Sequence, residues 1–355
     1  LRTGLGQVSR IVGSSTTLPI LNNVLLQTEN GQLKISATNL EMGMSTLVRC
    51  KIEQEGGVCI AAKVFLDLVN NLPNENITID SGEAETSVST NRYQTKIKHL
   101  PAEDFPLIPQ IEDASVISIA SQELKEALDS TAFAASTSET QPEISGISLK
   151  FEDNNVVATA TDRYRLAEMS VPVQTQAGRA VIAPQRSIIE LSRLLALASG
   201  DVQLNISSTQ MAVSVNGTYL VTRRIDGRYP EYAQIIPSET GTIVSVGHSE
   251  LISALKTSGI FSRGAGSVTM EIDADKQSLK LKSSSQGVGE SEVEIPCSIQ
   301  GNSSSVILNY RYVLDLLTNT SPTDFDISVI DDSNPVVFRP KGKPNYLYLI
   351  MPIRL

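Results

Sequence analysis

Tryptophan is absent from this 355-residue chain, aromatic residues make up 5% of it, and only two histidines occur, His99 and His248. Neither histidine has a Cys, Asp or His partner at ligand spacing, which excludes the usual zinc arrangements, and no other metal site is expected. Cysteine is scarce and odd in number: Cys50, Cys59 and Cys297. That excludes a disulfide framework and predicts reduced, mostly buried thiols of a cytoplasmic protein. No apolar run approaches the roughly 20 residues that span a bilayer, so no membrane partner is expected. No secretory apolar region opens the chain. It begins at Leu1, without Met, in what reads as mid-helix, so a short N-terminal piece is expected to precede it. Five Asn-x-Ser/Thr triplets, at Asn76, Asn205, Asn216, Asn302 and Asn319, carry little meaning without a secretion signal.

The signatures of catalysis are missing as well. There is no Walker A loop and no Gly-x-Gly-x-x-Gly phosphate cradle, and the glycines of SRGAGS (262–267) read as a plain loop. Spacing alone leaves a Ser-His-Asp triad open, but no Gly-x-Ser-x-Gly elbow is present. Asp162, the one acid that invites the role of a base, reads better as a turn cap between two strands. No catalytic residue and no cofactor are therefore expected.

Positive charge is also in short supply, 29 Lys and Arg against 39 Asp and Glu, for a net charge of −10. A chain of this balance does not grip nucleic acid over its whole surface, although a basic stripe on an acidic body is compatible with it. What is plentiful is apolar residue, 41%, in a length that suits two or three domains.

These residues repeat with a period of about 123 positions. Helical spacing of apolar residues predicts helices near 1–12, 63–72, 121–135, 184–197, 248–262 and 309–319. Ile188, Ile189, Leu191, Leu194 and Leu195 mark one apolar stripe, and Leu251, Ile252, Leu255 and Ile260 another. Ser121 with Glu123, and His248-Ser249 with Glu250, offer capping groups. Strand pairs with a polar break recur in LKISATNLEMGMS (33–45), VVATATDRYRLAE (156–168) and LKLKSSSQGVGES (279–291). Proline closes each unit, in DFPLI (104–108), GRYPEY (227–232) and IMPIRL (350–355). The expected fold class is α+β: three copies of one unit, each with two helices and two small antiparallel sheets, over 1–113, 114–240 and 241–355.

LPILNN near the start, TDRYRLA after an alternating strand, GRYPEYAQIIP closing the second unit and a terminal MPIRL together resemble the bacterial sliding-clamp family, the beta subunit of DNA polymerase III. The resemblance covers essentially the whole chain, less a first strand. It implies a processivity factor for DNA replication and not an enzyme. Two chains would join head to tail as a homodimer, closing six clamp domains into a ring with helices lining the hole. Heterologous contacts that close make rings. Phe105 and Leu107 on one side, and Ile260 and Phe261 on the other, match the family's dimer contacts.

The resemblance also implies duplex DNA as a partner, held without sequence preference. Arg2, Arg10, Lys63, Lys125, Arg186, Arg193, Lys256 and Arg311 lie on the expected hole-lining helices and would face it. The loops the family uses for DNA read SSTTLP (14–19) and STSETQPE (136–143) here and carry no cation. Finally it implies a pocket for short extended peptides of the polymerase alpha subunit, the clamp loader and other proteins carrying a clamp-binding motif. Its matching residues are Ile144, Thr161, Tyr164, Arg165, Leu166, Pro237, Ile243, Pro335, Leu349, Met351, Pro352, Ile353, Arg354 and Leu355. Aliphatic, Pro and Met side chains suit an apolar trough, and Arg165 and Arg354 are placed to hold peptide oxygens at its rim. Arg163 departs from the family, where a small residue is common, and a long cation there would narrow the pocket. The competing class is a repetitive β-rich adhesion or scaffold protein, which predicts disulfides or a secretion signal and no cationic helix faces.

Overall fold

The computed structural model describes residues 1–354 apart from 14–17, 112–113, 139, 174–177, 240, 263, 265 and 321–322. Residues 113 and 240, the expected domain boundaries, lie outside the described residues. The chain forms two compact units, one of 1–118 with 197–224, the other of 119–196 with 225–355. The middle repeat is thus shared: its strands at 201–223 belong to the first unit, its helices and its strands at 146–184 to the second.

Seven α-helices occur among the described residues: α1 (Arg2–Val8), α2 (Ala62–Asn71), α3 (Ser121–Ala132), α4 (Pro142–Ser145), α5 (Gln185–Leu195), α6 (His248–Gly259) and α7 (Tyr310–Asn319). All but the single turn α4 fall where apolar periodicity predicts them. They pack in pairs, α1 on α2, α3 on α5 and α6 on α7, one pair per repeat. In α5 the stripe of Ile188, Leu191, Leu194 and Leu195 is fully inside, whereas Ile189 is 37% exposed because a step of 100° carries it off the stripe.

The expected caps do not form. The strands Gly57–Ala61, Ser115–Ala120 and Arg179–Pro184 run directly into α2, α3 and α5, so the capping position is the last strand residue, with no side-chain acceptor. Ser121 is therefore already inside α3, buried and without a partner for its hydroxyl. His248 starts α6, and its Nε2 lies 2.9 Å from the Leu317 carbonyl of α7. Only α7, among the described helices, is capped by a side chain, Asn309, which accepts from the Arg311 amide.

In the first unit the strands order as Thr78–Ser81, Glu85–Ser89, Gln94–Pro101, Gly57–Ala61, Asn23–Glu29, Gln32–Thr38, Met42–Arg49, Thr218–Arg223, Gln210–Val215, Asp201–Ile206 and Ser115–Ala120. In the second, a nine-stranded sheet orders as Arg179–Pro184, Gly146–Glu152, Asn155–Thr161, Arg165–Pro172, Tyr346–Ile350, Val336–Pro340, Phe325–Val329, Thr242–Val246 and Ser298–Gln300. A four-stranded sheet of Gly289–Pro296, Ser278–Ser285, Ser267–Asp273 and Ser304–Asn309 completes that unit. Tyr346, Tyr348, Phe325 and Phe338 are fully buried there, each stabilising by about 1.5–3 kcal/mol through burial alone.

The repeat reaches down to single dihedrals. The three aligned hairpins are real, and each closes through a three-residue turn whose middle residue is left-handed: Leu40 (φ 74°), Arg163 (φ 77°) and Gly287 (φ 82°). Only the third repeat uses the residue that adopts this region freely. The first two hold it with the same bonds instead. Thr38 Oγ1 donates to Met42 O and accepts from Leu40 N, as Thr161 Oγ1 donates to Arg165 O and accepts from Arg163 N. Asn39 Oδ1 accepts from the amides of Glu41 and Met42, and Asp162 Oδ1 from those of Tyr164 and Arg165. Asp162 is thus the turn cap that the sequence suggests.

Candidate functional site: an apolar sheet face and its strap

The strands Arg165–Pro172 and Tyr346–Ile350 pair antiparallel, with Leu166 opposite Leu349 and Arg165 opposite Ile350. Alternation sends the two sets of side chains to opposite faces. Arg165, Tyr346 and Tyr348 point toward α3 and α7, where Tyr346 Oη donates to Ser130 O and Tyr348 Oη to Tyr312 O. A free outer face of such a sheet is normally polar. Here it carries Leu166, Val337, Leu347 and Leu349, one apolar cluster with Tyr232 and Ile236 resting against it. The Tyr232 hydroxyl is fixed by Thr159 Oγ1 at 2.9 Å, so this wall is anchored.

The chain end straps this region. After Ile350 no regular structure continues, but the Met351 amide donates to Tyr164 O at 2.8 Å and the Ile353 amide to Ile307 O at 2.8 Å. Met351, Pro352 and Ile353 are half-buried, Arg354 is exposed, and Leu355 lies outside the described residues. Tyr164 stands 61% exposed at the turn beside exposed Arg163.

Arg165 is not a rim group. Its side chain is 10% exposed, and its guanidinium donates to Asp162 Oδ2 (3.0 Å), Asp315 Oδ2 (2.5 Å) and Phe133 O (2.9 Å) while stacking 4.5 Å from the Tyr312 ring. Burial opposes its charge, but Tyr348, Asp315 and Asp162 outweigh it and raise its pKa. It therefore fastens the turn to α3 and α7 and lies on the side of the sheet turned away from the apolar outer face. The position of Arg165 in its strand decides this: its side chain belongs to the helix-facing set, that of Leu166 to the other. Arg354, by contrast, is exposed, with one weak donation to Ser333 O at 3.5 Å.

The remaining expected pocket residues scatter. Thr161 is buried and spends its hydroxyl on the turn. Ile144 is buried in α4, Pro335 is buried beside Val336, and Pro237 is half-buried next to Ile236. Ile243 belongs to a strand three places from Tyr346–Ile350, roughly 14 Å across the sheet, so it does not join the Leu166 cluster. Val337, Leu347, Tyr232 and Ile236 escaped the sequence reading. The unbroken apolar run YLYLI was the available signal, since a strand apolar at every position is covered on both faces.

The eight expected DNA-facing cations are all on or next to helices, but they are not equivalent. Arg2 donates to the carbonyls of Val69 and Leu72 and so closes the C-terminal end of α2. Lys125 pairs with Asp129 at 2.5 Å, and Arg193 pairs with Glu190. Arg10, Lys63, Arg186, Lys256 and Arg311 are exposed and have no acidic partner among the described residues. Lys63, Arg186 and Arg311 each occupy the second residue of the later helix in the packed pair of their repeat. A cation there opposes the helix dipole, so helix stability does not account for it. Of the loops matched to the family's DNA contacts, residues 14–17 and 139 lie outside the described residues.

Of the expected dimer contacts, Leu107 is 95% and Ile260 70% exposed. Phe261 is half-buried, and Phe105 is only 8% exposed, within the core of its own unit. No helix among the described residues is long and apolar enough to cross a membrane. No group of three or more His, Cys, Asp or Glu among them could hold a metal ion.

Three family profiles match the chain in succession: the N-terminal domain of the DNA polymerase III beta subunit over residues 1–109, its central domain over 118–231 and its C-terminal domain over 233–354. The chain is 30% identical over 364 residues to the beta sliding clamp of Synechococcus elongatus, a match spanning 100% of this chain and 97% of that protein. Among solved structures, a DnaN sliding clamp from Bartonella birtlesii bound to griselimycin superposes with a TM-score of 0.93 at 28% identity, over 100% of this chain and 97% of that one. The DNA polymerase III beta subunit of Thermotoga maritima gives a TM-score of 0.93 at 24% identity over the same shares, a likeness of fold.

Proposed function

This chain belongs to the DNA polymerase III beta sliding clamp family, whose members are processivity factors and not enzymes, and from that premise we propose how its parts divide the work. Two copies join head to tail through the exposed Leu107 of one and Ile260 with Phe261 of the other, closing a ring of six clamp domains around duplex DNA in the cytoplasm. The domains run 1–113, 114–240 and 241–355. The unpaired cations Arg10, Lys63, Arg186, Lys256 and Arg311 face the duplex. They supply a sequence-independent field without tight phosphate contacts, which would hinder sliding.

Polymerase, loader and other DNA enzymes dock a short apolar peptide on the outer sheet face of the second unit, bounded by Tyr232, Ile236 and the terminal strap. The observation that carries this site is the apolar cluster of Leu166, Val337, Leu347 and Leu349 on the face turned away from the helices. Pro237, Pro335 and Arg354 lie at its margins by position. Arg163 and Tyr164 form its entrance at the turn, and Arg165 holds that turn from beneath.

Loading on nicked circular duplex with the cognate loader and ATP, followed by linearisation, tests the ring. Retention on circles and loss from free ends is expected. Release indifferent to cutting but driven by salt would replace encirclement with ordinary electrostatic binding.

A further inference from the structure

The apolar face just described has a twin in the first unit. There the strand Met42–Arg49 pairs with Thr218–Arg223, with Gly43 opposite Val221, as Leu166 stands opposite Leu349. The strap begins identically: the Arg223 amide donates to Glu41 O at 2.8 Å, as the Met351 amide does to Tyr164 O. Following the ladders outward, Leu166, Val337, Leu347 and Leu349 correspond to Gly43, Ala212, Tyr219 and Val221. The framework is kept and two of its four floor side chains are trimmed to glycine and alanine.

The vacated space is taken by the chain itself. A Cβ on Gly43 would fall 2.8 Å from Cγ2 and 3.1 Å from Cγ1 of Ile108. Ile108 belongs to the connector that follows Phe105-Pro106, and the Tyr219 hydroxyl fastens that connector by donating to Pro109 O at 3.2 Å. Gly43 has an ordinary negative φ, so what its missing side chain provides is room for Ile108, not backbone freedom.

We infer that the first unit holds a second, closed copy of the peptide-binding face, plugged by Ile108 and latched by Tyr219, which limits each chain to one docking site. The inference rests on the peptide-docking role proposed above for the second unit, and goes beyond it in assigning Gly43, Ile108 and Tyr219 the task of suppressing a duplicate. The ligand of the opened site is the same class, an extended peptide with alternating large aliphatic side chains.

The experiment uses the full chain and an acetylated pentapeptide with three leucines separated by polar residues, titrated by calorimetry. Wild type is expected to bind one peptide per chain and Ile108→Ala two. Ile108→Ala combined with Met351→Arg, which obstructs the second unit, is expected to return to one. Tyr219→Phe keeps the volume and loses only the latch. It is expected to speed amide exchange over residues 107–111 at least tenfold and to reveal the second site at lower affinity, which keeps the test open should Ile108→Ala unfold. One peptide on Ile108→Ala and none on the double variant, with native circular dichroism, overturns the inference while leaving the second-unit site standing. None on wild type but one on Ile108→Ala sinks the second-unit site and upholds the plug.

Discussion

Replacing Arg165 by alanine tests whether the turn beneath the apolar face is held by one buried ionic hub. The guanidinium makes three directed donations and one ring stack, and its partners differ in exposure. The Asp162 side chain is 16% exposed and keeps two backbone amides on Oδ1, but its Oδ2 loses its partner. Breaking a buried pair on one side costs about 3–5 kcal/mol. Asp315 is 46% exposed and is rehydrated easily, so its share is about 0.5 kcal/mol or less. The Phe133 carbonyl left without a donor adds about 1 kcal/mol. Water reaching Asp162 through the space left by the side chain offsets part of this, and the expected loss is about 3 kcal/mol. Arg165→Lys keeps the charge but cannot present a planar fork to three acceptors, so about half that loss is expected. Urea unfolding followed by tyrosine fluorescence, the intrinsic reporter of a chain without tryptophan, gives the stability, and amide exchange over 166–171 localises it. Asp162→Asn preserves the turn acceptor and removes only the charge, so the double-mutant cycle isolates the ion pair, with an expected coupling above 1 kcal/mol. A cost for Arg165→Ala below about 1 kcal/mol, or coupling within about 0.5 kcal/mol of zero, would refute the hub.

Four further outcomes are expected. Arg163→Gly and Leu40→Gly each relieve a left-handed residue and should stabilise by about 0.5–1 kcal/mol after the entropy of glycine is deducted, measured as a rise in the urea midpoint; a loss in both would mean the side chains contribute more than the strain. Reversing the three repeated cations together (Lys63→Glu, Arg186→Glu, Arg311→Glu) should not lower the melting temperature, since acids complement the helix dipole there, while it reduces loading on nicked circles and flattens its salt dependence, and unaltered loading would remove them from the DNA-facing set. Leu107→Asp or Ile260→Asp should convert the proposed dimer to monomer in sedimentation without unfolding the chain, and a wild type that sediments as a monomer would remove the interface. Exposed Cys50 should label with maleimide at pH 8, whereas burial pushes the thiols of Cys59 up to about 12 and Cys297 up to about 11; both then stay almost wholly protonated at that pH and should label slowly, and rapid Cys59 labelling would contradict its burial.

Much of this was readable before any coordinates. Helices follow from a local rule, apolar residues at a period of 3.6, and all six long ones stand where that rule puts them. The hairpins follow from alternation and polar breaks, and the turn role of Asp162 from the short reach of its own carboxylate. The expected caps fail because the capping position falls one residue earlier than the polar groups, on Ala120 before α3 and on Gly247 before α6, neither of which has a side-chain acceptor.

Repetition, composition and the class of each element were determined by the sequence alone, because they depend on neighbours a few residues apart. Which face of a strand a side chain occupies relative to a partner far along the chain was not. Arg165 and Leu166 are adjacent in TDRYRLA, yet one is a buried ionic hub and the other the floor of an apolar face. Their strand's pairing with Tyr346–Ile350 decides that, since one residue of register exchanges the two faces. The same holds for Gly43 and Ile108, 65 positions apart. Tertiary packing alone brings the isoleucine into the space the missing side chain leaves, because a close-packed interior must fill such a gap from whatever segment passes nearest.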